Sequence, residues 1–161
     1  MSITVDIFSN LDLKFIGTVD AENFYRAIRK FFNDRRYKWH EEMNKDKGFK
    51  KDREIEWHFS PLKEVDDYCM FTYKMFVKFF QVVEYEKDGK LVTDSRVVVK
   101  ISCDVVLDYK NRYTGKISNW IHEFLVSFFL NYYKSIYHIP LEIETIDLHH
   151  YLKGVLGMEA N

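Results

Sequence analysis

Glycine, proline and cysteine are scarce in this chain. Its 161 residues include 6 Gly, 2 Pro and 2 Cys. So little glycine and proline excludes a low-complexity or disordered chain, because such chains are enriched in these residues. Two cysteines without paired spacing exclude a disulfide-stapled secreted domain and fit a reducing compartment. We therefore predict a cytoplasmic protein.

An excess of charge of one sign is also lacking. The chain has 24 Lys and Arg against 25 Asp and Glu, which gives a formal net charge of −1 at pH 7. This balance provides no overall field that would attract nucleic acid or an anionic membrane. The composition therefore gives no strong signal for either partner.

Long apolar runs are missing as well. The most lipid-like run is FLVSFFLNYY, residues 124–133, which as a helix would span about 15 Å, half of a hydrocarbon core. The N-terminal segment has acidic residues where a signal peptide would be basic and then apolar. We predict no transmembrane segment and no signal peptide, and we expect residues 124–133 to form a buried helical segment.

Aromatic residues are the abundant class, with 14 Phe and 11 Tyr. A chain of this length fits one domain, which buries roughly 70% of its unfolded surface in a single core. No internal repeat or composition shift divides the chain. We therefore predict one domain over residues 1–161, with an aromatic core or an aromatic surface.

The N-terminal part predicts a strand followed by a helix. Leu11, Leu13 and Phe15 alternate with charged residues, as in a half-buried strand. Asp20 is placed to cap a helix that ends near Asn33. Apolar residues follow the cap at helical spacing: Phe24, Ile28, Phe31 and Phe32.

Two short alternating runs then predict a hairpin. If Trp39 pairs with Trp57, then His40 faces Glu56 and lies on the same strand face as His58. These side chains are of the type that binds zinc, which takes three or four N, O or S ligands. Neighbours on a flat sheet seldom converge on one point, so an ordinary polar face is favoured. We predict no metal and no cofactor.

The loop of that hairpin is the most basic part of the chain. Asp46 and Asp52 dilute its charge, so we predict a solvated hairpin tip and no nucleic-acid site. Its basic and aromatic side chains are Lys45, Lys47, Phe49, Lys50, Lys51 and Arg53.

Two long strands, near residues 68–90 and 96–109, predict the centre of the sheet. A three-residue loop over residues 87–89, with Gly89 in a left-handed conformation, pairs odd positions with odd positions. Val77 then lies opposite Val99, and the odd residues form the core face. The even face is mixed and carries surplus apolar side chains, which we predict to form an interaction surface: Phe76, Phe80, Val82 and Val98.

The C-terminal part is strongly helical. Pro140 suits the first turn of a second helix, with Glu142 at the positive end of the helix dipole. The predicted fold class is α+β, with a curved antiparallel sheet of about five to six strands, an N-terminal helix and a long, Pro-interrupted C-terminal helix pair. The first C-terminal helix repeats apolar residues at helical spacing: Ile121, Leu125, Phe128, Phe129, Tyr132 and Ile136.

This order of elements resembles the START-related helix-grip (Bet v 1-like) proteins. The resemblance implies a sheet that wraps the last helix and encloses an apolar cavity. Separately, the segments VDDY, EKDGK and LDYKNRY, at residues 65–68, 86–90 and 107–113, are similar to stretches of small archaeal α+β proteins of unknown function. That similarity implies no activity.

No residue pattern points to catalysis. The chain has no Gly-rich phosphate loop, nucleophile elbow or HExxH motif, and Cys69 and Cys103 lie on the predicted core face. The sequence favours a non-catalytic module that binds a protein partner or itself through apolar surface on the even face of the sheet and on the C-terminal helices. The alternative is a carrier of a hydrophobic small molecule, held between sheet and helix. Its cavity would be lined by Phe71, Tyr73, Met75, Phe79, Phe128 and Phe129.

Overall fold

One antiparallel sheet of six strands forms the centre of the molecule. The structure is a computed structural model that describes residues 2–48, 53–87, 89–113 and 115–158. The sheet is unclosed, in the order β1-β6-β5-β3-β2, and β4 pairs with β5. The strands are β1 (Ile3–Val19), β2 (Glu41–Lys47), β3 (Glu54–Phe59), β4 (Leu62–Glu64), β5 (Cys69–Lys87) and β6 (Lys90–Leu107).

One helix follows β1 and the remaining helices follow β6, as expected for the predicted α+β class. They are α1 (Ala21–Asp34), α2 (Lys116–Phe128), a short α3 (Leu130–Tyr133), a π-helical turn (Lys134–His138) and α4 (Ile139–Val155). Pro140 lies in the first turn of α4 with Glu142, as predicted. The break between α2 and α4 falls earlier than predicted, because α3 and the π-helical turn already separate the two helices.

Helix α1 forms where the sequence predicts it. The Asp20 carboxylate accepts a hydrogen bond from the Asn23 amide at 2.8 Å and caps the helix. Such a cap satisfies one of the free amides of the first turn and contributes about 1 kcal/mol. The predicted apolar stripe is buried against the sheet: Phe24, Ile28, Phe31 and Phe32.

The register between β5 and β6 is confirmed, but the predicted loop is wrong. Val77 lies opposite Val99, while Lys87 pairs with Lys90, which leaves two residues in the turn instead of three. A bulge near Gln81, with φ of 55°, changes the pairing parity between the two ends of the hairpin. Gly89 has the predicted left-handed conformation, with φ of 75°. Asp88, the other residue of the turn, lies outside the described residues.

The register between β2 and β3 also differs from the prediction. Asn44 lies opposite Trp57, and Lys45 lies opposite Glu56. Trp39 precedes β2, so it does not pair with Trp57 and His40 does not face Glu56. The neighbouring Lys38 instead forms an isolated bridge with Leu62, which draws this part of the chain towards β4.

Helix α4 is anchored on the core face of the sheet by both apolar and polar contacts. Leu141, Leu148 and Leu152 are fully buried. Between them, the Thr145 hydroxyl donates to the Leu141 carbonyl at 2.7 Å and accepts from the Tyr73 hydroxyl at 2.9 Å. Because α1 and α4 share this face, they cover most of the apolar sheet surface.

Most of the described side chains at residues 124–133 are exposed, contrary to the prediction, and only Val126 among them is buried. Phe124 is 57% exposed and Tyr132 is 62% exposed. With α1 and α4 already on the core face, the sheet offers little apolar surface for this run to pack on. Across the described ranges, no helix has both the length and the apolar character needed to cross a membrane.

Candidate interaction surface

The outward side of α2 carries two parallel rows of apolar side chains. Residues four apart in a helix lie on the same face, so Trp120, Phe124 and Phe128 form an aromatic row. An aliphatic row runs beside it. Together the two rows form what we call the α2 ridge: Ile117, Trp120, Ile121, Phe124, Leu125 and Phe128.

The α2 ridge is exposed along its whole length. Ile117 is 77% exposed, Phe128 73% and Trp120 66%. The rings of the aromatic row stack on one another, with centroids 6.1 Å apart for Trp120 and Phe124 and 6.3 Å apart for Phe124 and Phe128. Exposed apolar side chains are common singly, but a contiguous row of this kind is typical of a binding surface.

Only one narrow side of α2 is buried. His122 and Val126, one turn apart, are its buried residues. The His122 ring stacks on Tyr113 with centroids 4.6 Å apart, and its Nε2 lies 2.5 Å from the Tyr68 hydroxyl. These contacts hold α2 with its ridge turned away from the sheet.

A polar network supports the end of the sheet on which α2 rests. Asp66 accepts hydrogen bonds from the Tyr68 and Cys69 amides and from the Tyr137 hydroxyl, each at 2.7 Å. Partial burial acts to raise the pKa of Asp66, but these hydrogen bonds outweigh it and the pKa lies below its usual value. The carboxylate therefore links the start of β5 to the π-helical turn that follows α3.

The polar side of α2 is narrow and internally bonded. The Asn119 side-chain amide donates to Glu123 Oε1 at 2.8 Å, and the Ser127 hydroxyl donates to the Glu123 carbonyl at 2.9 Å. These hydrogen bonds stay within the helix and leave the apolar ridge as the dominant feature of its surface.

The predicted surface on the even face of the sheet is less exposed than the α2 ridge. Phe76 and Phe80 are half-buried: Phe76 packs edge-on against the His58 ring at 4.9 Å, and Lys78 lies 4.6 Å from the centre of the Phe80 ring. Val98 is buried on this face and is paired with Lys78, whose long side chain can cover a short valine.

Val82 is on the opposite face from the one predicted. It is buried and belongs to the hydrophobic core. The bulge at Gln81 adds one residue to the strand, and a shift of one residue turns every later side chain to the other face. The structure therefore does not gather the four predicted residues, Phe76, Phe80, Val82 and Val98, on one exposed surface.

The residues predicted to line a cavity are also divided. Phe71, Tyr73, Met75 and Phe79 are buried in the core, whereas Phe128 and Phe129 are exposed. The partly open cavity beneath α2 has a volume of about 60 Å³, while small-molecule sites usually measure about 300–1,000 Å³. The residues that line this space are Val5, Val105, Leu107, Val126, Tyr133, Lys134, Tyr137 and His138.

The predicted histidine face and the basic loop do not form binding sites within the described residues. His58 Nε2 lies 2.7 Å from Glu56 Oε1 on its own strand. His40 does not face Glu56, so it does not join these two side chains. No three His, Cys, Asp or Glu side chains of the described ranges are grouped as metal ligands. In the basic loop, Arg53 pairs with Asp46 and Glu84 at 2.6 and 2.8 Å, and Phe49, Lys50 and Lys51 lie outside the described residues.

Both cysteines are buried, unpaired and expected to be unreactive. Burial raises the pKa of the Cys69 thiol to about 12 and that of Cys103 to about 11. At pH 8 the reactive thiolate is then about a thousandth of each thiol or less. We expect neither cysteine of the folded protein to react with an aromatic disulfide reagent at pH 8 on a timescale of minutes, and both to react in urea. A rapid reaction of one thiol without urea would contradict this burial.

Sequence reasoning missed three members of the α2 ridge: Ile117, Trp120 and Phe124. The signal was present, because apolar residues occupy more of the helix circumference than one buried stripe requires. A helix that is apolar on both its inner and its outer side needs a packing partner on each side.

No protein-family model matches the chain, and a search of curated proteins finds no relative. What the protein does is therefore inferred from the α2 ridge and its surroundings.

Proposed function

We propose that the protein is a non-catalytic binding or assembly module that holds its partner through the α2 ridge. The observation that carries this proposal is the exposure of Ile117, Trp120 and Phe128, each two thirds exposed or more, on one continuous helix face. Aromatic side chains of this kind dominate the energy of protein interfaces when they become buried. We further propose that it acts in the cytoplasm, since both cysteines are unpaired.

The alternative role, carriage of a hydrophobic small molecule, has less support. The partly open cavity beneath α2, of about 60 Å³, holds a few water molecules by the volume that one water needs. Six large apolar side chains remain uncovered on the outside of α2, where they can contact a macromolecule over a large area.

A stability comparison tests whether the α2 ridge serves binding instead of folding. In dilute protein, Phe128→Ser is expected to change the free energy of unfolding by about 0.5 kcal/mol or less, as surface substitutions do. The matched control is Ile16→Ser, at a residue that is 79% exposed on β1. Both are measured by urea unfolding. If Phe128→Ser alone costs about 3 kcal/mol or more, as core truncations do, the ridge belongs to the protein's own core and the proposal fails.

A further inference from the structure

We infer that the α2 ridge binds the α2 ridge of a second copy of this chain, with the two helices antiparallel about a two-fold axis. This inference rests on the proposed function and names its partner. A two-fold interface uses the same patch on both subunits, so the patch must be complementary to itself. The two rows of the ridge meet that requirement.

The α2 ridge is large enough to form half of a dimer interface. Its six side chains are 41–77% exposed, which leaves about 700 Å² of apolar surface at about 200 Å² for each fully exposed side chain. A standard interface buries about 800 Å² per partner, whereas the largest apolar patch of a typical monomer is about 300–600 Å². Phe129, Tyr132 and Ile136 extend the exposed surface beyond the end of α2.

The charges of α2 favour a protein partner over a lipid surface. Helices that lie on membranes carry several Lys or Arg residues along their polar side. The polar side of α2 has Lys116 at its start and Glu123 in its middle, so it has no basic stripe. The Asn119 amide holds the Glu123 carboxylate beside the ridge at 2.8 Å, where it repels an anionic head group.

The direction of the helices follows from the two rows. In a parallel pair, equivalent positions meet at each level, so Phe124 would face Phe124 and Ile121 would face Ile121. Levels that hold two rings would be crowded, and levels that hold two aliphatic side chains would be left partly empty. In an antiparallel pair, the central rings, Phe124 and Phe128, each meet an aliphatic side chain of the second copy.

One antiparallel register brings the four central side chains of the ridge together. It centres the two-fold axis between residues 122 and 123, so that Phe124 packs on Ile121 of the second copy and Phe128 packs on Ile117. Trp120 and Leu125 point about 140° apart on the helix, so they flank this contact on opposite sides. Opposed helix dipoles also favour this direction over the parallel one.

Cross-linking of single introduced cysteines tests both the partner and the direction. The buried Cys69 and Cys103 give little background reaction. In the inferred dimer, the two copies of residue 121 are about 4.5 Å apart along the helix axis, but those of residue 117 are about 16 Å apart. The variants are Ile121→Cys and Ile117→Cys, with Ile16→Cys on β1 as a control that is at least as exposed as either.

With a short bismaleimide and micromolar protein, Ile121→Cys is expected to form dimers about 100-fold faster than Ile16→Cys, because proximity gives a millimolar effective concentration. Ile117→Cys alone is expected to react at the control rate, and to cross-link rapidly when mixed with Phe128→Cys. The melting temperature of each variant verifies that it is folded.

Three results would overturn the inference. Equal, rapid cross-linking of Ile117→Cys and Ile121→Cys would show a parallel pair. Control-level rates for every variant would show that no second copy binds the ridge. A blue shift of Trp120 fluorescence with phosphatidylcholine vesicles, in protein that stays monomeric, would identify a lipid surface as the occupant. None of these results affects the stability comparison of Phe128→Ser, so failure of the inference and failure of the proposed function are distinguishable.

Discussion

Phe124→Lys is expected to weaken self-association about 1000-fold, because a two-fold interface loses two aromatic contacts of about 2 kcal/mol each. Phe124 lies in the middle of the aromatic row, between Trp120 and Phe128. In the inferred register it packs beside the two-fold axis, so the two introduced ammonium groups would also repel each other. Sedimentation velocity over a range of concentrations measures the change in the dissociation constant.

The matched control for this prediction is Ile16→Lys. Ile16 is more exposed than any ridge residue, but it lies on β1 and outside the inferred contact. We expect its dissociation constant to equal that of the native chain. Equal weakening by both substitutions would indicate a general effect of added charge, and no weakening by Phe124→Lys would remove the α2 ridge from the interface.

Phe79→Ala is expected to lower the free energy of unfolding by about 3–5 kcal/mol, the usual cost of truncating a fully buried phenylalanine. Phe79 is completely buried on β5. Its ring meets the Trp57 ring at 4.8 Å and the Phe24 ring of α1 at 6.4 Å, both edge to face. Truncation therefore leaves a cavity between the sheet and α1, which urea unfolding would register as a lower midpoint.

Phe76→Ala is the control on the same strand. Phe76 faces the other side of the sheet, is half-buried, and packs beside His58. We expect its truncation to cost about 1–2 kcal/mol, since it removes less buried surface. Equal costs for Phe76→Ala and Phe79→Ala would contradict the assignment of α1 and α4 to one face of the sheet.

Local patterns were sufficient to predict much of the fold. The cap at Asp20 and the spacing of Phe24 and Ile28 determine α1, because capping and helical periodicity act within a few residues. The pairing of Val77 with Val99 was predicted from a three-residue loop that is wrong, and it is nevertheless correct because the bulge at Gln81 compensates for the shorter turn. The bulge at Gln81 was not predictable, because a residue other than glycine in a left-handed conformation leaves no mark in the composition.

The site was harder to predict than the fold. Helical periodicity shows that α2 has apolar faces, but it does not show which face has a surface to pack on. That depends on α1 and α4, which occupy the core face of the sheet and leave α2 attached through His122 and Val126 alone. The exposed position of Phe128 is therefore a consequence of tertiary packing, which the spacing within the helix does not encode.

The molar mass of the native chain tests the central claim, that the α2 ridge is an interface between two copies, most directly. Light scattering coupled to size-exclusion chromatography measures it over a range of loading concentrations. We predict a mass of twice the 19.5 kDa chain at high concentration, and a return towards a single chain on dilution or with Phe124→Lys. A mass of one chain at every concentration would contradict the claim.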